Sequence, residues 1–263
     1  MAEFALSGPG GADPYSQDPS LQRAQTPMWR EMFAGMDLIS LGLSPTYLGC
    51  GISRGHGEPV VIIPGFMGSD GYLAILFDWL ARMGYRPYFS DIGVAADCPD
   101  HLSRLLLDTV RRAHTETGHK VRLIGHSLGG MLARTIALDY PEIVSGVISM
   151  GTPFRESVQA HPSILTTIDA LRNNRGRGGV GRNMRPSCFS GHCTCNFVKN
   201  MLAPEQYTVP HFAIYSRTDG VVGWESCIEE DPALNDEVRS THVGMAFNPA
   251  VYRVLGRRLP QMA

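Results

Sequence analysis

Ser127 lies at the centre of VRLIGHSLGG, residues 121–130, with glycines two positions before and two after it. A β-favouring run precedes Gly125-His126-Ser127-Leu128-Gly129, and an amphipathic helical pattern follows. The pattern predicts a strand, a sharp turn carrying a serine, then a helix. A serine at the tip of so tight a turn has a strained backbone, and its neighbours at 125 and 129 must be small for strand and helix to approach. Its hydroxyl then stands clear of the sheet, and the Leu128 N–H sits at a helix N-terminus, where negative charge is stabilised. A serine hydroxyl is a weak nucleophile at neutral pH. It needs a histidine to take its proton and a carboxylate to orient that histidine. Beyond His126, the histidines that follow are His161, His192, His211 and His242.

The elements that must carry these groups alternate along the chain. Residues 28–42 form an amphipathic helical pattern. Pro59-Val60-Val61-Ile62-Ile63 is a continuous apolar run, as expected of a strand buried on both faces. Helices are expected at about 70–83, stopped by Gly84, and at 100–117, stopped by Gly118, with Tyr85–Phe89 as a strand between them. The strand at 121–124 leads into a helix that runs to Tyr140 and ends before Pro141. Ile143–Met150, His211–Tyr215 and Glu237–Arg239 read as further strands, and Asn248-Pro249 starts a final helix. Such alternation implies a mainly parallel sheet covered by helices on both faces.

At 263 residues, 43% hydrophobic and 18% charged, the chain has ample material for one large α/β domain with an insertion. A formal net charge of −2 gives no general attraction to nucleic acid or to an anionic membrane. No apolar run reaches the roughly 18 residues needed to cross a bilayer. Residues 1–25 lack periodicity and read as a disordered leader, with neither the basic nor the apolar region of a signal peptide. On that ground the expected location is cytoplasmic. Disulfides among the cysteines described below would instead suit a secreted or periplasmic protein.

From about residue 58 onward the chain resembles the lipase and esterase branch of the α/β-hydrolase superfamily. Leu123-Ile124-Gly125-His126-Ser127-Leu128-Gly129-Gly130 is similar to the nucleophile elbow of many bacterial lipases, Pro64-Gly65-Phe66 to the oxyanion loop, and Gly151-Thr152-Pro153 to a segment that shapes the pocket floor. The resemblance implies an α/β-hydrolase fold and a catalytic order of Ser, acid, His along the chain. His242, in the loop after the last expected strand, then becomes the base. Asp219 follows an apolar strand and precedes His242 by 23 residues, which makes it the acid. Asp231 and Asp236 are the reserves. Phe66 and Leu128 would supply the two N–H groups that hold an oxyanion. The implied activity is hydrolysis of carboxylic esters, of small molecules or lipids, through an acyl-enzyme and without cofactor or metal. An acyltransferase or an amidase or peptidase could use the same triad; a non-catalytic binding protein fits least.

Residues 154–208 occupy the usual position of a cap, leaving 26–153 and 209–263 as the core. A helix is expected at 163–172, and Ile164, Leu165, Ile168, Leu171, Phe197 and Leu202 are expected to line the pocket. The same segment holds Cys188, Cys193 and Cys195, while Cys227 follows Asp219 closely. Disulfides among these four, a zinc site that includes them and His192, and reduced buried thiols are all compatible with the spacing. Cys50 and Cys98 read as separate thiols. Arginine recurs through 172–185 among Gly and Asn, the composition of a solvated, mobile loop that could gate the pocket.

Overall fold

The run Pro59–Ile63 forms β1 and is buried along its whole length. It is the second strand of a six-stranded sheet ordered β2-β1-β3-β4-β5-β6, every neighbouring pair parallel. The other strands are β2 (Arg86–Phe89), β3 (Val121–His126), β4 (Val144–Met150), β5 (His211–Tyr215) and β6 (Asn235–Glu237). The computed structural model describes residues 28–155, 162–173, 180–185, 188, 194–201 and 207–262. The expected leader, 1–25, lies outside them.

Alternation along each strand divides the core in two, because successive side chains point to opposite faces. Val60 and Ile62 of β1 join Ile124, Ile148 and Ile214 in one cluster, and Val61 and Ile63 join Leu123 and Val147 in the other. The first face is covered by α1 (Ala34–Gly42), α2 (Ala74–Arg82) and α7 (Pro249–Arg258), and the second by α3 (Pro99–Thr117) and α4 (Leu128–Asp139). Between β4 and β5 the chain forms α5 (Pro162–Asn173) and α6 (Asn196–Met201). Gly118 ends α3 in a left-handed conformation, and Asn248 caps α7 by accepting from Ala250 N.

Several boundaries differ from the sequence pattern. The last strand is Asn235–Glu237 rather than 237–239. Its polar residues give no apolar alternation, and its place is set by pairing with β5, Tyr215 opposite Glu237. The expected helix at 70–83 begins as a 3-10 turn, Asp70–Leu73, before α2. Residues 28–42 likewise open with a 3-10 turn, Met28–Phe33. Their apolar positions are largely uncovered among the described residues: Leu41 is buried, whereas Met32, Met36 and Ile39 are 85%, 64% and 69% exposed.

Candidate active site

The turn between β3 and α4 places Ser127 at φ 53° and ψ −121°. A non-glycine residue there costs on the order of 1–3 kcal/mol and persists only when its surroundings hold it. The Ser127 N–H donates to Met150 O at 2.9 Å, and its carbonyl accepts from Gly130 N and from Thr152 Oγ1, each at 3.0 Å. Small neighbours are compulsory. A Cβ on Gly129 would meet the carbonyls of Ile63 and Pro64 at the end of β1, and one on Gly125 would meet the backbone of Gly129 and Gly130. The serine side chain makes no capping bond to α4, which leaves its hydroxyl free for the cavity beside it.

His242 and Asp219 meet from two loops, after β6 and after β5. His242 Nδ1 donates to Asp219 Oδ2 at 2.6 Å, and both residues are buried. Asp219 Oδ1 accepts from Val221 N at 2.8 Å and Val222 N at 2.9 Å, so backbone donors fix the carboxylate. Burial opposes protonation of His242, but the charge and hydrogen bond of Asp219, with the charge of Glu31 added, outweigh it and raise its pKa. Gly151, at φ 55°, leaves room for the pair: a Cβ there would lie 3.1 Å from His242 Nδ1 and 3.2 Å from Asp219 Oδ2. His126 donates from Nε2 to His242 O at 3.0 Å, and its Nδ1 has no partner among the described residues. Burial, then the nearby charge of His242, pushes its pKa down to about 3, so it stays neutral at ordinary pH.

These groups border a cavity of about 460 Å³, lined by Ser127, His242 and His126 and otherwise mostly by apolar residues. Phe66, Leu128, Met131 and Val222 form part of the wall, and α5 adds Ile164 and Ile168. No hydrogen bond joins Ser127 Oγ to the His242 ring among the described residues; both residues line the same cavity. Around Phe66 the neighbouring amides are occupied, Met67 N by Ala95 O at 3.0 Å and Gly68 N by Gly65 O at 2.8 Å. The Phe66 and Leu128 N–H groups have no acceptor among the described residues, and both residues border the cavity.

The remaining candidates lie elsewhere. His211, at the start of β5, is buried against Arg134, Glu229 and Ser149 Oγ, the last at 2.9 Å. Asp231 caps a 3-10 turn by accepting from Ala233 N at 2.9 Å. Asp236 points to α7 and pairs with Arg257 and, at 2.7 Å, with Arg258. His161 and His192 are outside the described residues.

The expected pocket lining is only partly met. Ile164 and Ile168 border the cavity, whereas Leu171 packs beside Gly181. Phe197 is buried with α3 and α4 in the core instead, because α6 packs against those helices, and it is not among the cavity-lining residues. The side chain of Leu165 and all of Leu202 are outside the described residues.

Among the described residues no disulfide joins Cys188, Cys195 and Cys227 to one another, and no metal-binding cluster of His, Cys, Asp or Glu occurs. Cys193 is not among them. Cys227 is buried near Gly223 and Ser226 beneath the acid loop. Cys188 instead neighbours Cys98, which was expected to stand apart, and their hydrogen bond is the main cause that lowers the Cys98 pKa to about 6. In the arginine-rich segment the described part is tied down: Asn183 bonds both oxygens of Asp97 at 2.9 Å.

A carboxylate absent from the sequence reading completes the surroundings. Glu31, in the 3-10 turn before α1, borders the cavity and accepts from amides of the loops that carry Asp219 and His242. Nothing in its sequence context marks it, since its partners are about 190 and 210 residues away.

Residues 47–208 match the model of the alpha/beta hydrolase fold family, and the chain belongs to that family. It is 29% identical to a triacylglycerol lipase of Burkholderia plantarii over 133 residues, 47% of this chain and 37% of that protein. It is 32% identical to a triacylglycerol lipase of Pseudarthrobacter phenanthrenivorans over 108 residues, 38% of this chain and 34% of that protein. The chain thus spans about a third of the length of these curated relatives. Among solved structures it resembles the mature Bacillus licheniformis lipase BlEst2, with TM-score 0.54, 16% identity, and 81% and 95% of the two chains covered. A putative aryl esterase from Burkholderia cenocepacia gives TM-score 0.57 and 16% identity, covering 80% and 93%. At such identities the likeness is one of fold.

Proposed function

We propose that the protein hydrolyses carboxylic esters with an apolar acyl group, through an acyl-enzyme on Ser127. One observation carries this reading: Ser127, strained at the β3–α4 turn, faces an apolar cavity shared with His242, whose ring is held by a buried Asp219. In the first half-reaction His242 Nε2 takes the Ser127 proton as Oγ bonds to the ester carbonyl carbon. The carbonyl electron pair moves to oxygen, where the unoccupied N–H groups of Phe66 and Leu128 receive it. Collapse expels the alkoxide, which takes the proton from His242 and leaves as alcohol. Water then repeats the sequence on the acyl-enzyme and releases the carboxylic acid.

Asp219 keeps the proton on Nδ1, so that Nε2 is the basic nitrogen. The apolar wall supports an acyl chain rather than a charged substrate, in line with the relatives named as lipases. Residues 154–208 act as the cap in this reading, with Ile164 and Ile168 of α5 meeting the acyl chain. The test is a series of nitrophenyl esters of increasing acyl length, with triolein, a matched anilide and an alcohol acceptor alongside. Ser127→Ala should lose on the order of 10⁴-fold or more in kcat while retaining its fold. Turnover close to wild type in that variant refutes the reading; preferential transfer to the alcohol makes the enzyme an acyltransferase.

A further inference from the structure

We infer that Glu31 is a positioning residue for the base, its carboxylate tying the base loop to the acid loop and acting by its charge on the imidazolium formed when Ser127 attacks. The inference rests on the hydrolase reading above, and it adds a residue that neither motif nor chain order marks. Glu31 Oε1 accepts from His242 N at 2.9 Å and from Gly220 N at 3.2 Å, and Oε2 accepts from Val243 N at 2.8 Å. One carboxylate therefore engages three amides: the base residue itself, its successor, and the residue after the acid. Hydrogen bonds from amides to a charged oxygen are stronger than neutral ones, and a clamp across two loops restricts the distance between the groups they carry.

The attachment does not depend on Glu31 alone, so the carboxylate is delivered in a defined place. Six residues further on, Asp37 of α1 accepts from Asn248 Nδ2 at 3.0 Å and from Ser240 Oγ at 3.5 Å. Tyr72 donates to Val243 O at 2.7 Å from the other side of the same loop. The ionisable groups that act on the His242 ring are thus Asp219 by its hydrogen bond, His126 by ring contact and Glu31, on the His242 amide, by its charge. Asp37 and Tyr72 flank the loop behind it. His126 is neutral and adds no positive charge, so the two carboxylates dominate the field at the imidazole.

Both parts of this role can be read separately. Glu31→Ala removes the acceptor and the charge. Glu31→Gln keeps one carbonyl oxygen for two of the amides but loses the charge and turns a donor toward the third. With a short-chain nitrophenyl ester, Glu31→Ala should lower kcat by about 10- to 100-fold, as expected for misplacement of a reacting group by about 1 Å or less, with KM changed much less. Glu31→Gln should fall between it and the wild type, and should move the acid limb of the kcat/KM profile to lower pH. A direct readout needs no turnover: NMR titration of the His242 imidazole should give a lower midpoint in Glu31→Gln than in the wild type. Wild-type kcat and an unmoved midpoint in the Gln variant overturn the inference. So does a lower melting temperature with kcat per folded molecule unchanged. If the wild-type protein and Ser127→Ala are equally inert toward esters, the hydrolase reading fails, and the imidazole titration still decides whether Glu31 controls His242.

Discussion

Replacing Asp219 by Asn tests the site at the point where its geometry is tightest. The substitution keeps shape and volume and changes one oxygen into an NH₂ donor. Which oxygen changes is decided by the backbone. Oδ1 accepts from Val221 N and Val222 N, so an amide nitrogen there would face two donors in a buried place. Leaving two buried donors without an acceptor costs roughly 1–3 kcal/mol each, or about 2–6 kcal/mol together. At about 1.4 kcal/mol per factor of ten, the flipped amide is confined to a fraction between roughly 10⁻¹ and 10⁻⁴. The Asn oxygen therefore stays on the two amides and its NH₂ points at His242 Nδ1, now 2.6 Å from Oδ2 in the wild type. A donor at that point forces the imidazole proton onto Nε2, and the nitrogen facing the cavity can no longer take the proton of Ser127. The expected loss in kcat is about 10³–10⁴-fold, with KM for a short nitrophenyl ester little changed and the fold intact. Steady-state kinetics on purified variant, with circular dichroism to verify folding, reads it. A loss below tenfold refutes the argument, as does an equally large loss in Asp231→Asn with Asp219→Asn mild.

Three further outcomes follow from the same contacts. In the proposed mechanism His242 must be neutral, and its pKa is raised from 6.5, so the acid limb of the kcat/KM profile should lie above pH 6.5; a midpoint below it contradicts the charge arrangement around the ring. Asp236→Asn should leave kcat unchanged but destabilise the protein by about 1–3 kcal/mol, since Arg258 loses a buried partner; urea unfolding measures it, and a kinetic defect at unchanged stability would reopen the choice of acid. Gly129→Ala should destabilise by at least about 1–3 kcal/mol, because the new methyl meets backbone carbonyls of Ile63 and Pro64 that cannot rotate away; wild-type stability in that variant would show that β1 and α4 do not approach as described.

Much of the candidate site's arrangement was legible in the sequence because its signals are local. The elbow is a run of ten residues whose glycines, serine and flanking periodicity all answer to one steric problem, the crossing of β3, β1 and α4 at Ser127. The apolar runs that form β1, β3, β4 and β5 are buried on both faces of a parallel sheet, so they carry no alternation to misread. Asp219-Gly220 could be recognised as a polar turn at a strand end. By contrast, β6 is a short polar edge strand and takes its register from pairing with Ala213, Ile214 and Tyr215 of β5.

What the tertiary structure alone decided concerns partners far apart in the chain. Periodicity says that 28–42 has an apolar face, but only docking shows that its polar residues Glu31 and Asp37 grip the His242 loop while Met32 and Met36 stay exposed. The three aspartates considered as partner of His242, Asp219, Asp231 and Asp236, all precede it by 23 residues or fewer. Asp231 is spent on a turn and Asp236 on α7, and no local pattern encodes that distribution. Phe197 has the composition of a pocket wall yet lies in the core, and Cys98 meets Cys188 rather than standing alone. Local sterics and burial period are written in neighbouring residues. The pairing of a particular donor with a particular acceptor depends on how separate elements settle against one another, and only the folded chain contains that information.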